Sequence, residues 1–162
     1  MIPFPSMMSP EPSLSTSRIS FGEVSAGDFD EVLELRIAAM KESLERVGRF
    51  DPQRARERLK DSFHPQHSRF ILLDSGRIGF QTLRPTDEGF HLDHLYVHPL
   101  CQGLGIGSHV MCLLIRHANE RRKPIRVGAL RDSGANAFYQ RHGFVKHSEE
   151  EWDIHYIRTA EA

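Results

Sequence analysis

A glycine-rich run, Gln102-Gly103-Leu104-Gly105-Ile106-Gly107, constrains this chain more than any other feature. It lies between a strand-like stretch, 90–97, and a helix-like stretch, 106–122, so it predicts a strand that turns sharply into a helix. Glycine permits backbone conformations and close approaches that a side chain would prevent. The first N–H groups of a helix have no partner inside it, and a turn of this kind can aim them at one anion. The run therefore indicates an anion site, most simply for a pyrophosphate.

The residues after the run exclude two common phosphate-binding motifs. An ATP-binding P-loop continues with Gly-Lys-Ser/Thr, and no such tripeptide follows Gly107. The dinucleotide fingerprint requires glycine or alanine three places beyond its second glycine. That place is Ser108 or Val110, depending on which pair of glycines is taken. ATP and dinucleotides are therefore poor matches, and the run alone does not name another cofactor.

Composition limits the classes of protein to which the chain can belong. Its 162 residues suffice for one domain with a substantial core. The formal net charge of -1 gives no electrostatic reason to expect nucleic acid as a partner. Cys101 and Cys112 are too few for a disulfide framework, so we expect reduced thiols and a cytoplasmic protein. No apolar stretch is long enough to span a bilayer and the N terminus lacks a signal-peptide pattern, so no membrane partner is expected.

The chain divides into a tail and one domain. Prolines and serines are concentrated in residues 1–17, which predicts a flexible tail followed by a single domain over residues 18–162. A strand is expected first, and Ser25 with Asp28 then has the pattern of a capping box. Apolar residues recur every three or four positions as far as Gly48, which predicts a helix with a continuous core-facing stripe.

A second, heavily charged helix is predicted to start at Asp51-Pro52 and to reach about Phe63. A basic substrate or phosphate rim is one interpretation of the basic residues in and just before this helix, which are Arg46, Arg49, Arg54, Arg56, Arg58 and Lys60. Glutamate and aspartate residues are interleaved with them, however, and this mixture favours a solvated helical surface.

Alternating polarity replaces the helical period in the middle of the chain. Three antiparallel strands are expected over 69–74, 77–84 and 90–97. A helix after the glycine-rich run then leads to a strand over 125–130, and such a crossover joins parallel strands. The sheet is therefore predicted to be mixed. A short helix and two final strands are expected over 135–141, 144–148 and 152–158.

Two longer motifs resemble a known family. Residues 94–107 are similar to L-Y-V-x-P followed by Q/R-x-x-G-x-G/A, and residues 132–144 are similar to N-x-x-A-x-x-F-Y-x-x-x-G-F. Both motifs, in this order, resemble those of the GNAT superfamily of acyl-CoA-dependent N-acetyltransferases. The resemblance covers nearly all of the chain beyond the tail. It implies an α/β fold with a central mixed, mostly antiparallel sheet of about six to seven strands and about four helices on its faces.

The resemblance also implies where acetyl-CoA would bind. In this family the amides of the glycine-rich turn hold the pyrophosphate, and the end of the preceding strand pairs with the pantetheine arm. Asp132 stands where the family often has an asparagine that contacts pantetheine, and Asn136 lies four places on, so either residue is a candidate for that contact. The candidate cofactor-binding residues are Leu95, Tyr96, Val97, Gln102, Gly103, Leu104, Gly105, Ile106, Gly107, Ser108, Asp132, Asn136 and Tyr139.

Acyl transfer to an amine requires a proton donor for the leaving thiolate and a route for the proton of the amine. Tyr139 matches the tyrosine that the family often uses as general acid. The candidate base is Asp93 or His94, acting directly or through water. As neighbours on a strand these two should face opposite sides of the sheet, with His91 on the side of Asp93. The histidines lack the spacing of a zinc site, and no metal is expected.

The sequence does not specify the acceptor. The resemblance implies transfer of an acetyl or longer acyl group to a primary amine, on a small molecule or a peptide, by direct attack in a ternary complex. A non-catalytic acyl-CoA-binding or regulatory module of the same fold is the alternative. The acidic run Glu149-Glu150-Glu151 is predicted to be a solvated turn rather than an amine site. A homodimer that pairs through a C-terminal strand is a further hypothesis.

Overall fold

A central seven-stranded sheet organises the computed structural model, which describes residues 15–161. The strands are β1 (Ile19–Glu23), β2 (Ser68–Leu73), β3 (Gly76–Pro85), β4 (Phe90–Val97), β5 (Ile125–Leu130), β6 (Val145–Glu149) and β7 (Asp153–Arg158). The helices are α1 (Phe29–Arg46), α2 (Pro52–Ser62), α3 (Ile106–Glu120) and α4 (Ala135–Arg141). Most of the predicted flexible tail lies outside the described residues, and Thr16–Arg18 forms a short 3-10 turn.

The strands lie in the order β1-β2-β3-β4-β5-β7-β6. Every neighbouring pair is antiparallel except β4 and β5. These two are parallel because α3 carries the chain back to the edge at which β4 began. The predicted mixed, mostly antiparallel sheet with four helices is therefore confirmed.

The first two helices begin at the caps that the sequence predicts. The N–H of Ser25 donates to Oδ2 of Asp28 over 2.9 Å, which completes the capping box before α1. Oδ1 of Asp51 accepts the amide of Gln53 over 3.0 Å, and Pro52 occupies the first position of α2. These contacts fix where both helices start, and both helices later contribute to the site.

Two apolar clusters hold the helices to the sheet. α3 packs through Val110 and Met111 against a cluster that includes Leu92 of β4. α1 and α2 pack against a second cluster that includes Leu59 and Phe70, both 0% exposed. Burial of each such side chain stabilises the fold by about 1.5–3 kcal/mol.

The apolar stripe of α1 enters the core along only part of its length. Leu33 is buried, whereas Met40 and Leu44 are half-buried and line a cavity. The prediction of a continuous core-facing stripe is therefore wrong for the last turns of α1. Periodicity shows which face of a helix is apolar, but it does not distinguish a core contact from a cavity wall.

The C-terminal strand is not at an edge of the sheet. β7 lies between β5 and β6 and pairs with both. The hypothesis of a homodimer stays a prediction, and the C-terminal strand with a free edge is β6 rather than β7. The edge on this side belongs to β6, whose five residues are all exposed.

Candidate active site

β4 and β5 separate soon after they begin to pair. Their parallel register runs only from the pair Phe90 and Ile125 to the pair Leu92 and Val127. Beyond Leu92, the two strands diverge and leave a gap in the sheet. A cleft of about 710 Å³ occupies this gap, with walls from α1, β4, the glycine-rich turn, β5 and α4. We call this space the main cleft.

The glycine-rich turn forms part of the main cleft. Gly103 and Gly105 have positive φ values of 82° and 81°, which side chains disfavour. Within the described chain, the amides of residues 103–108 donate to no backbone carbonyl, and the first bond into α3 runs from His109 to Gly105 over 3.0 Å. The unpaired amides also carry the positive end of the α3 dipole. This is the geometry that a pyrophosphate site requires.

Most of the candidate cofactor-binding residues line the main cleft. They are Leu95, Tyr96, Val97, Gln102, Gly103, Gly105, Ile106, Gly107, Ser108 and Tyr139. The side chain of Gln102 also braces the turn, since its Nε2 donates to the carbonyl of Val97 over 2.9 Å. Ser108 is held at the start of α3 by His142, whose Nε2 lies 3.1 Å from its Oγ.

Three candidate residues do not line the main cleft: Leu104, Asp132 and Asn136. Leu104 packs against the apolar cluster of α3, and Asp132 is exposed in the turn after β5. Nδ2 of Asn136 donates to the carbonyl of Leu130 over 3.0 Å, and its Oδ1 accepts from the hydroxyl of Tyr156 over 2.7 Å. The side-chain amide of Asn136 is thus already hydrogen-bonded within the fold. The predicted pantetheine contact through Asp132 or Asn136 is not supported by this geometry.

Tyr139 lies in the wall of the main cleft on α4 and is only 7% exposed. Its ring packs against Phe144 and Tyr156, with centroids 5.6 and 6.1 Å away. Burial, with a smaller contribution from Tyr96, holds the pKa of the Tyr139 hydroxyl well above its usual value. The hydroxyl is therefore protonated at neutral pH, which is the state that a proton donor needs.

A β-bulge changes which way the residues of β4 face. The register with β3 shifts by one between Leu92 and His94, so Asp93 is the extra residue. The expectation that Asp93 and His94 face opposite sides of the sheet is therefore wrong. Both line a second cavity, together with His91. The alternation rule assumes that each residue of a strand pairs with one residue of its neighbour. The sequence pattern therefore could not reveal a bulge, in which one residue has no partner.

Asp93 is held between two basic side chains. Arg84 donates two hydrogen bonds to its carboxylate over 2.8 and 3.0 Å, and Nδ1 of His91 lies 2.8 Å from Oδ1 in a poorly aligned contact. Burial acts to raise the pKa of Asp93, but the contacts with His91 and Arg84 outweigh it and hold the pKa well below its usual range. An ionised, paired carboxylate is a poor proton acceptor, so this geometry disfavours Asp93 as a base.

His94 is buried against the end of α2. Its Nε2 lies 3.1 Å from Oγ of Ser62 and 3.3 Å from the Ser62 carbonyl oxygen. Burial, and to a smaller extent the charge of Arg36, lowers the pKa of His94 to about 4. Nδ1 is buried with no hydrogen-bond partner among residues 15–161. The ring is therefore neutral at neutral pH and is a weak base.

The second cavity, of about 320 Å³, adjoins the main cleft. Met40, Tyr96, Gly128 and Leu130 line both spaces, so the two meet where β4 and β5 separate. The remaining walls come from α1, α2, the start of β4 and the start of β7. We call this space the side cavity.

Comparison of the chain with models of known protein families identifies the family to which it belongs. The model of the acetyltransferase (GNAT) domain matches residues 38–158, which is most of the chain. The protein belongs to the GNAT acetyltransferase family. The β4 and β5 separation, the glycine-rich turn and Tyr139 all lie within the matched residues.

Solved structures with low sequence identity share this GNAT fold. PaiA N-acetyltransferase from Thermoplasma acidophilum, in complex with coenzyme A, has a TM-score of 0.71 and 16% identity over 87% of this chain and 98% of that chain. An acetyltransferase from Thermus thermophilus has a TM-score of 0.67 and 16% identity, over 87% of this chain and 96% of that chain. Ard1 from Thermoplasma volcanium has a TM-score of 0.66 and 17% identity, over 90% of this chain and 99% of that chain. A search of curated protein sequences gave no significant match.

Sequence reasoning missed the part of the GNAT cleft that comes from α1 and from the turn after β5. The missed residues include Ala39, Met40, Ser43, Gly128, Ser133, Gly134, Phe138 and Arg141. The α1 members recur at helical spacing, so the apolar stripe was the available signal, although it was interpreted as core. Arg46 and Arg141 add positive charge to the walls of the main cleft.

Within residues 15–161 of this GNAT chain, no helix is both long and apolar enough to cross a bilayer. In the same residues, no group of three or more His, Cys, Asp or Glu side chains is placed to hold a metal ion. Cys101, half-buried in the wall of the main cleft, and Cys112, exposed on α3, are both free thiols.

Proposed function

We propose that this protein is an N-acetyltransferase that moves the acetyl group of acetyl-CoA directly to a primary amine. The junction of the main cleft with the side cavity carries the proposal. A thioester in one space and an amine in the other would meet there, so that the reaction needs no covalent enzyme intermediate. Family membership and the coenzyme A complex of the Thermoplasma acidophilum structure support acetyl-CoA as the donor.

The residues of the main cleft suit this donor. The unpaired amides of residues 103–108 suit the pyrophosphate. The end of β4, residues 95–97, has no β5 partner and suits the amide groups of pantetheine, as an added strand would. Arg46 and Arg141 are candidates for the remaining phosphate charge. The donor, when bound, supplies an activated thioester carbonyl at the junction.

In the proposed reaction the amine nitrogen attacks the acetyl carbon, a C–N bond forms, and the C–S bond breaks. Tyr139 protonates the departing sulfur, and the proton that the nitrogen loses as the amide forms passes through water to the Tyr139 phenolate. Burial raises the pKa of the Tyr139 hydroxyl, and the same apolar wall raises the pKa of a thiol beside it. Because the pKa values of the Tyr139 hydroxyl and of the CoA thiol are both raised, a proton can still pass from the phenol to the thiolate.

Neither candidate base is tuned to deprotonate an ammonium group, whose pKa is about 10. Asp93 is committed to Arg84, and the pKa of His94 is lowered to about 4. We therefore propose that the amine loses its proton to solvent before it attacks. His94 would then remain neutral and serve to shape the side cavity.

The dependence of rate on pH should report the acceptor amine rather than an enzyme histidine. The pKa of His94 is lowered to about 4, so its protonation is constant from about pH 6 to about pH 9. We expect kcat/KM for the amine, measured with saturating acetyl-CoA, to rise about tenfold per pH unit in this range. An inflection near pH 6.5 that disappears in His94→Gln would overturn this proposal and restore His94 as the base.

Incubation with acetyl-CoA and a panel of primary amines tests the proposed function. We expect release of free thiol, with an acetylated amine identified by mass spectrometry. Gly105→Val places a β-branched residue at a positive φ, so this variant should lose CoA binding and thiol release together. If calorimetry shows CoA binding but no amine releases thiol, the alternative of a non-catalytic acyl-CoA-binding module replaces the proposal.

A further inference from the structure

The side cavity is lined by four arginines that have no acidic partner. They are Arg36, Arg49, Arg54 and Arg58. Within residues 15–161, none of the four forms an ion pair with a carboxylate. Arg56, on the same helix as two of them, does pair with Asp30 at 3.2 Å. The cavity therefore concentrates positive charge that the fold does not neutralise.

The charges of α2 are divided between two surfaces. Arg54 and Arg58 are one helical turn apart and line the side cavity, beside the buried Ala55. Arg56 and Lys60 do not line the cavity and are exposed. The sequence favoured a solvated surface for all of these residues, and all four are exposed, but Arg54 and Arg58 also line the side cavity.

Arg36 and Arg49 are fixed at the cavity with hydrogen-bond donors to spare. Nε of Arg36 is buried with no partner among the described residues, and its other contact is a long 3.5 Å bond to the Ala55 carbonyl. A buried donor left unsatisfied is destabilising, and a bound acceptor would relieve that cost. The guanidinium of Arg49 lies over the Trp152 ring, 4.6 Å from its centroid, a contact that leaves its N–H groups free.

The aspartates of the cavity cancel only part of this charge, since four unpaired arginines face Asp51 and Asp153. Asp93 is already paired with Arg84, and Asp51 accepts backbone amides at the start of α2. Asp153 pairs with Leu130 in the register of β7 and β5, and Leu130 belongs to the junction with the main cleft. The side cavity thus has one carboxylate near the junction and arginines on its helical walls.

We propose that the acceptor is a small primary amine that also carries a carboxylate or phosphate group. Guanidinium groups bind both anions through paired N–H donors, and the amine is placed at the junction beside Asp153. A polycationic amine would instead meet four like charges. The volume of about 320 Å³ suits a small metabolite. This inference rests on the proposed function, of which it specifies the substrate class.

Matched amines test the substrate class. O-phosphoethanolamine is compared with ethanolamine, and β-alanine is compared with its amide, under saturating acetyl-CoA. We expect kcat/KM to be at least about tenfold higher for the anionic member of a pair. The pair with the larger ratio shows whether phosphate or carboxylate is preferred. Equal rates within both pairs, or a preference for spermidine or a peptide N terminus, would overturn the inference.

A pair of double variants tests whether the arginines are responsible. R54Q/R58Q removes two charges from the cavity wall, and the control R56Q/K60Q removes two charges from positions on the same helix that do not line the cavity. We expect the first variant to raise KM for the anionic amine at least about tenfold, with KM for acetyl-CoA unchanged. The control should stay near wild type. Similar values for the two variants would contradict the inference.

A binding measurement separates this inference from the proposed function. Calorimetry with CoA present should show tighter binding of O-phosphoethanolamine than of ethanolamine, and R54Q/R58Q should weaken only the former. If no amine is acetylated, the proposed function fails, but this selective binding would still establish the anion site. If both amines bind wild type equally, or the variant binds as wild type does, the anion site itself is disproved.

Discussion

Tyr139→Phe is expected to lower kcat for amine acetylation by at least about 100-fold, the range typical of losing a general acid. The variant removes the one group in the wall of the main cleft that we assign to protonating the CoA sulfur. The Kd for CoA should remain within about twofold, because the binding donors are backbone amides of residues 103–108. Thiol release under saturating substrates and calorimetry with CoA measure the two quantities separately.

Tyr156→Phe is the matched control for this substitution. Tyr156 is also buried, its ring lies 6.1 Å from that of Tyr139, and its hydroxyl donates to Asn136 rather than lining the main cleft. Its loss should cost about 1–3 kcal/mol of stability by leaving Asn136 unsatisfied, with kcat little changed. If Tyr139→Phe retains full kcat, the proton reaches the sulfur by another route. If both variants lose activity equally, the effect is structural.

Much of the fold follows from local signals in the sequence. The capping box at Ser25 and the Asp51-Pro52 start placed α1 and α2, because caps depend on the chemistry of a few adjacent residues. The crossover helix predicted the parallel pair of β4 and β5, because chain connectivity leaves few other arrangements. The order of the strands was harder to predict from the sequence, since the position of β7 between β5 and β6 depends on long-range pairing.

The candidate site was predictable only where it depends on one motif. The glycine-rich turn and Tyr139 were identified because their residue types are distinctive at fixed spacing. The side cavity was not identified, because a single extra residue at Asp93 reverses the alternation of β4. Three of its arginines, Arg49, Arg54 and Arg58, belong to the basic set considered as a rim, but the interleaved acidic residues favoured a solvated surface. Arg36 of α1 was not in that set.

Gly79→Ala is expected to destabilise the fold by about 3 kcal/mol, because the site depends on a close backbone approach. Gly79 of β3 pairs with Val97 of β4. A Cβ at this position would overlap the carbonyl oxygen of Tyr96 and stand 3.1 Å from Cα of Val97. Both are backbone atoms, so no side-chain rotation can relieve the overlap and β3 must move away from β4. The thermal midpoint should fall by roughly 10 °C.

Gly22→Ala provides the control, because the same methyl group in β1 would meet only the side chain of Leu72 at 3.6 Å, an ordinary contact. Its stability should stay within about 0.5 kcal/mol of wild type. The two variants should also differ in their affinity for CoA. Residues 95–97 of β4 are the proposed pantetheine edge, so Gly79→Ala should weaken CoA binding even at temperatures where the variant is folded. A folded Gly79→Ala protein with the CoA affinity of wild type would show that β4 binds its ligand independently of its spacing from β3.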